Sequence, residues 1–340
     1  MLRGRGLATS SIIGDVPSEG GTPRFTFGSA DQARRYDAAL ASQVFRPWVE
    51  SMVELNDPVP GNVVLDLACG TGVCALVLAE RIGGGNISGG GGGRVVGIDA
   101  SRGMLEVARA KLDEKTRGDD GCSASAGKAT IAPVDFLFGD ACDPDTPWHE
   151  TQLRRFDRAY CHQGLQFFKD PEEGCRRVRL ALKPGGQFTV AVWAHVARQP
   201  LFAAVKMALE SVGRPEWAAM AAGAPFSWDA TCTDAGAVDK LETTLIRAGF
   251  DAPDAATERG EIYFADMEDA AGVVRAAPFW DELAAEEHLW DAYVAEVERH
   301  LAVTAGDTMR IVPRGAGTVD ESVLAIPAVA HFGHATAPWN

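Results

Sequence analysis

Bases are scarce in this chain of 340 residues: 32 lysines and arginines stand against 47 acids, a formal charge of −15 at neutral pH. That deficit argues against gripping a nucleic-acid backbone, which needs a positive field, so no nucleic-acid partner is expected. Also missing is any apolar run of the ~18 residues that a spanning helix requires, so a soluble chain with no integral membrane segment is expected. Cys-x-x-Cys pairs are absent too. The seven cysteines (69, 74, 122, 142, 161, 175 and 232) are scattered and odd in number, which argues against zinc knuckles and secreted disulfide frameworks. A reducing, cytoplasmic compartment is the expectation. The first 14 residues are basic, hydroxylated and free of acids, so a mitochondrial or plastid transit segment is the alternative.

What is present is ordinary globular material, 46% hydrophobic and 23% charged, organised around Val63–Glu80. Val63 to Leu67 has the pattern of a buried parallel strand with one acid, Asp66, inside it. Gly70 and Gly72 make a turn too tight for side chains, and Val73, Leu76, Val77 and Ala79 then recur at helical spacing. Such a strand, glycine turn and helix brings backbone N–H groups close to a small ligand.

Residues 1–28 carry no periodicity and are expected to form a loose tail. Over 29–60 a helical lid is expected: Ser29 caps one helix, and a second helical stretch follows Pro47 and Trp48. Residues 61–195 alternate strand and helix. The strands fall at 63–67, 94–99, 134–138, 156–161 and 187–193, and the weakest helix lies around Trp148 to Leu153. Lys183-Pro-Gly-Gly186 looks like a helix terminator. Eight glycines in the eleven positions 83–93 form a surface insertion, since no Lys-Ser/Thr pair follows as a phosphate loop requires. Residues 196–340 add helical cap insertions and two closing strands, at Ile262–Ala265 and Val323–His331, with Pro327 awkwardly inside the second. The sum is an α/β fold: a Rossmann-like, doubly wound, mostly parallel seven-stranded sheet with a helical lid and cap.

The glycine turn alone leaves two ligand classes open. Gly70-Thr-Gly72-Val-Cys-Ala75 superficially fits a dinucleotide fingerprint, with Asp99 for the ribose, which would make the chain an NAD(P)-dependent oxidoreductase. Asp66 tilts the balance, because a pyrophosphate would meet its negative charge whereas a cofactor amino group would welcome it.

Leu65-Asp-Leu-Ala-Cys-Gly-Thr-Gly72 resembles motif I of the class I S-adenosylmethionine-dependent methyltransferases. Val96-Gly-Ile-Asp99-Ala-Ser-Arg-Gly-Met104 and Phe138-Gly-Asp140-Ala resemble the two motifs that follow. Phe156-Asp-Arg-Ala-Tyr-Cys161-His-Gln163 and Leu182-Lys-Pro-Gly-Gly186 resemble later segments of the ubiquinone/menaquinone-biosynthesis-like (type 11) branch. The resemblance spans residues 63–193 and is only general beyond 196. It implies S-adenosyl-L-methionine as cofactor. Gly70, Gly72 and Ala68 would then lie along the methionine portion, with Asp66 near its amino group. Asp99, followed by Ala100, would hold the ribose hydroxyls, and Met104 would pack on the adenine. Asp140 and the Ala141 N–H would meet the adenine edge, and Cys161 and Gln163 would lie beside the sulfonium.

The partner implied is a small methyl acceptor, apolar or aromatic, and a homodimer is allowed. A catalytically silent cofactor-binding protein remains the rival from another class. If the acceptor is a hydroxyl or phenol, His162 and, less strongly, His195 are candidate bases on position. No metal is expected, and His331-Phe-Gly-His334 is read as non-metal. Tyr36, Phe45, Trp48, Trp217, Trp228, Phe279 and Trp280 could roof an acceptor pocket, but for most of them ordinary core is the expectation.

Overall fold

The computed structural model describes residues 28–83, 92–117, 131–143, 153–226, 228, 233–313 and 322–339. The expected loose tail, most of both glycine- and polar-rich insertions, and the helix expected around Trp148 lie outside them.

Five parallel strands form one side of the sheet: β1 (Val63–Leu67), β2 (Arg94–Asp99), β3 (Val134–Phe138), β4 (Phe156–His162) and β5 (Leu182–Trp193). Three more close it: β6 (Asp251–Phe264), β7 (Arg310–Pro313) and β8 (Ser322–Thr336). Their order is β3-β2-β1-β4-β5-β8-β6, with β7 on β8. Strand β8 runs antiparallel to β5, β6 and β7. The chain winds outward from β1 through β2 and β3, then restarts at β4 on the other side. The crevice at the carboxyl ends of β1 and β4 is therefore the switch point where such sheets bind ligands.

Both faces of the sheet are covered, as its near-continuous apolar strands require. On one side Val64 packs with Val77, Leu78, Val49 and Met52; on the other Leu65 packs with Val178, Leu241 and Phe188. The helices over these faces are α1 (Ala30–Tyr36), a π-helical stretch (Asp37–Phe45), α2 (Arg46–Leu55), α3 (Val73–Gly83), α4 (Arg102–Arg117) and α5 (Pro171–Ala181). The cap adds α6 (Pro200–Ser211), α7 (Pro215–Ala222), α8 (Asp234–Arg247), α9 (Met267–Ala271), α10 (Trp280–Ala284) and α11 (Glu287–Thr304).

Several expectations need correction. The sheet has eight strands, not seven, because Arg310–Pro313 pairs with Ser322–Ala325 where β8 extends past β5. Strand β6 begins at Asp251, eleven residues before the expected Ile262, because its polar first half is an edge whose pattern carries little burial signal. Lys183-Pro-Gly-Gly186 belongs to β5 instead of ending a helix, with a register shift between Phe156 and Arg158 opposite it. Pro47 does not separate one helix from the next: it sits in the first turn of α2, where a missing N–H is tolerated. Pro327 is accommodated because β8 there pairs only with β6, opposite Glu261. Just beyond it the Gln199 side chain, rather than a strand, accepts from the Val329 N–H.

Candidate active site

Leaving β1, the chain turns at Ala68 (φ 54°), Gly70 (φ 54°) and Gly72 (φ 81°) before entering α3. Gly72 is required twice over: its φ favours glycine, and a Cβ there would lie 3.0 Å from the Phe136 ring and 3.1 Å from Ala108. Gly70 is different. Its φ also favours glycine, but a Cβ there would meet nothing within 4 Å, so the turn opens onto free space at the crevice.

Beneath the turn, Asp66 is 1% exposed and neither carboxylate oxygen has a hydrogen-bond partner. Burial raises its pKa to about 7, an effect lessened by the nearby Cys74 thiol and Ala75 N–H and reinforced by Asp99. A buried acid left so poorly satisfied suits a cationic ligand group more than a structural role. Asp99, ending β2, accepts from the Gly70 N–H at 2.8 Å and from the Ser101 N–H at 2.7 Å, which ties the second strand to the glycine turn. Its side chain remains partly accessible, with oxygen lone pairs to spare. Ala100 beside it is exposed. Met104, held in α4 by the Ser101 cap, is buried against Ala33, Val107 and Tyr36. Asp140 is exposed after β3, with one oxygen accepting from the Cys142 N–H at 2.8 Å, and Ala141 is buried beside it.

The end of β4 brings the remaining residues to the same crevice. Cys161 is fully buried, and burial pushes its thiol pKa up. Gln163 has φ 54°, and its N–H donates to the Ala191 carbonyl on β5 at 2.9 Å. At Gly164 a Cβ would come within 2.5 Å of the Ala68 Cβ, so the turns after β1 and β4 touch. His162 sits edge-on to Phe45, centroids 5.9 Å apart, and its buried Nε2 has no partner. Burial lowers its pKa to about 3, keeping the ring neutral. His195 is engaged otherwise: its Nδ1 accepts from the Ala197 N–H at 3.2 Å and caps the turn after β5.

A partly open, mostly apolar cavity adjoins this crevice. Tyr36, Leu40, Val44 and Phe45 wall it from the lid, Trp193 from the end of β5, and Phe202 and Phe226 from the cap. Its polar side chains are few: Gln163 and Gln166, linked by an Nε2–H of Gln166 donating to the Gln163 Oε1 at 3.3 Å, and the Tyr36 hydroxyl. The Gln163 Nε2 is buried without a partner. Of the seven aromatics weighed for a roof, Tyr36 and Phe45 line the cavity, and ordinary core holds for the others. Trp48 packs on Trp193 and Phe332, Trp217 stacks on Phe279, Trp228 is buried beside Lys240, and Trp280 meets Trp290. Gln166, in the turn after β4, was not anticipated, nor were Phe202 and Phe226, because nothing in an alanine-rich helical stretch separates cavity wall from core.

The paired histidines of the last strand face hydroxyls: His331 Nδ1 lies 3.0 Å from Thr257 Oγ1, and His334 Nδ1 lies 3.0 Å from Thr189 Oγ1.

Fold and site together define an α/β protein whose acid-lined glycine turn opens at the switch point of the sheet, beside an apolar cavity. The model of a family described as a methyltransferase domain matches residues 58–235. The ubiquinone/menaquinone biosynthesis C-methyltransferase UbiE of Hydrogenovibrio crunogenus is 31% identical over 160 residues, 47% of this chain and 53% of that protein. Nocamycin O-methyltransferase of Saccharothrix syringae is 31% identical over 153 residues, covering 45% of each chain. Phosphoethanolamine N-methyltransferase 2 of Haemonchus contortus, solved with S-adenosyl-L-methionine, shares the fold at a TM-score of 0.50 and 16% identity, over 91% of this chain and 57% of that one. This chain belongs to the class I S-adenosylmethionine-dependent methyltransferase family, and it is similar to ubiquinone/menaquinone-biosynthesis members of it. It spans about half the length of the curated relatives it matches. The oxidoreductase alternative finds no support among these relatives.

Proposed function

We propose that this chain moves a methyl group from S-adenosyl-L-methionine to a small, uncharged, apolar or aromatic acceptor. The observation that carries the reading is adjacency. The turn of the Asp66–Gly70–Asp99 cradle follows β1, its Ala68 touches Gly164 after β4, and the neighbouring Gln163 lines the apolar cavity.

The residues fit the cofactor. Asp66, buried and without partners, would take its amino group, and the open space at Gly70 would take the chain behind it. Asp99 would accept from the ribose hydroxyls, Met104 would flank the adenine, and Asp140 with the Ala141 N–H would meet the adenine edge. When bound, the cofactor supplies an electrophilic methyl on a sulfonium, which needs alignment and dry surroundings more than side-chain chemistry. Apolar side chains of the lid and cap line most of the cavity. Gln163, through its free Nε2–H, would hold an acceptor oxygen in line. His162 is the candidate base. With a pKa of about 3 it stays neutral at working pH but is a weak base, so the assignment rests on its position at the end of β4.

Calorimetry with S-adenosylhomocysteine and with NAD should show binding of the first alone. Turnover with a panel of phenols, hydroquinones and activated-carbon acceptors should then show methyl transfer. Cofactor binding with no turnover on any acceptor class would instead favour the silent binding protein.

A further inference from the structure

Four side chains form one line across the site: Met104 packs on Tyr36, Tyr36 stacks on Phe45 at 5.4 Å and 27°, and Phe45 meets His162 edge-on. The line runs from α4 to the end of β4, and its middle pair, Tyr36 and Phe45, lines the cavity. Its middle depends on unusual backbone. Tyr36 and Phe45 are separated by nine residues, about two and a half α-helical turns, which would put them on opposite faces. Between them lies the π-helical stretch Asp37–Phe45, whose wider i→i+5 winding makes the same separation about two turns and brings both rings to one face. Leu40 and Val44, at four-residue steps, complete that face.

The helix carrying this face is fastened to both halves of the molecule. On the cofactor side, Gly103 of α4 leaves room for the Ser29 carbonyl, to which a Cβ would come within 2.7 Å, and Lys111 pairs with Asp37 at 2.6 Å. On the cap side, the Arg35 Nε–H donates to the Arg275 carbonyl at 3.3 Å and the Gln32 amide to the Ala276 carbonyl at 3.4 Å. Tyr36 is also within the field of Asp99, which adds to the effect of burial in holding its hydroxyl protonated.

Building on the methyltransferase reading above, we propose that Tyr36 is a positioning residue that couples the two subsites. The nucleoside, seated against Asp99 and Met104, fixes the Tyr36 ring, and the ring completes the cavity wall through Phe45. Acceptor then binds more tightly to the cofactor-loaded protein than to the empty one.

The test uses 2-naphthol as a neutral aromatic probe, titrated by fluorescence with and without saturating S-adenosylhomocysteine. In the wild type the probe should tighten by about fivefold or more when the nucleoside is present. Tyr36→Ala should reduce that ratio below about twofold, whereas Phe202→Ala, on the far wall, should weaken the probe and keep the ratio. Tyr36→Leu replaces Tyr36→Ala if circular dichroism shows the latter unfolded. A wild-type ratio of one, or an unchanged ratio in the Tyr36 variant, overturns the coupling and leaves the methyltransferase reading standing, since both ligands bind. Nucleoside binding with no probe binding overturns the apolar-acceptor class and the coupling with it. Failure of S-adenosylhomocysteine to bind overturns the underlying reading itself.

Discussion

At the scale of single residues, Asp66 concentrates the electrostatic cost of the site. Its pKa of about 7, against 3.8 for the free group, means that between roughly pH 4 and 7 the folded chain holds a proton that the unfolded chain has released. Stability attributable to Asp66 therefore falls as pH rises through that window, by up to about 4 kcal/mol above pH 7. Asp66→Asn should raise the melting temperature of the ligand-free protein at pH 8 and leave it little changed near pH 3. The same variant should weaken S-adenosylhomocysteine binding by about tenfold or more at pH 8, where the wild-type carboxylate is ionised. Scanning calorimetry and titration at both pH values check the pair of outcomes. His162 has the opposite sign. Its folded pKa of about 3 lies below the unfolded 6.5, so its contribution is complete above pH 6.5 and is lost as pH falls toward 3. His162→Gln should lower kcat by about tenfold to a hundredfold while leaving cofactor affinity unchanged. The wild-type pH–rate profile between 5.5 and 8 should carry no limb from this ring. An unaltered kcat would remove it as the base.

At the scale of elements, the lid matters more than its length suggests. It touches α4 through a glycine and the cap through two side chain–carbonyl bonds, so its position is shared between the two halves. Gly103→Ala would drive a methyl into the Ser29 carbonyl. The expected result is a lid displaced from α4, a loss of about 1–3 kcal/mol by denaturant unfolding, and faster tryptic cleavage after Arg34 or Arg35. Ser29 and Ser101 were recognisable as caps because an N-cap is a local device, and both accept from the N–H three residues on. The π-helical winding was not recognisable. Its apolar residues Tyr36, Leu40 and Val44 recur at four-residue steps, a spacing that reads equally well as an ordinary α-helix.

At the scale of the whole molecule, ligand binding to the folded state alone should be visible as stabilisation. S-adenosylhomocysteine at a hundredfold over its dissociation constant should add about 2.7 kcal/mol, a rise of roughly 3–5 °C in a chain of this size. NAD at the same concentration should add nothing, since its pyrophosphate would face Asp66. A comparable shift with NAD would reverse the assignment of the cradle. Among the described residues no helix is long and apolar enough to cross a membrane.

The sequence by itself determined the five parallel strands, the glycine turn and the carboxylates at the strand ends. Each is written in local signals: a continuous apolar run, a positive-φ turn that favours glycine, an acid following a buried strand. The motifs these residues form carry the resemblance to the family, and through it the expectation of the methyl donor. Only the tertiary structure decided that Asp66 lacks partners, that His162 is neutral behind Phe45, and that His195 spends a nitrogen on a helix cap. It also decided which aromatics face the cavity and which are core, because Tyr36 and Trp48 carry the same apolar signature until the sheet and cap close around them. A turn is fixed by its own residues. A cavity is fixed by what packs around it, and its walls come from stretches more than two hundred residues distant in the chain.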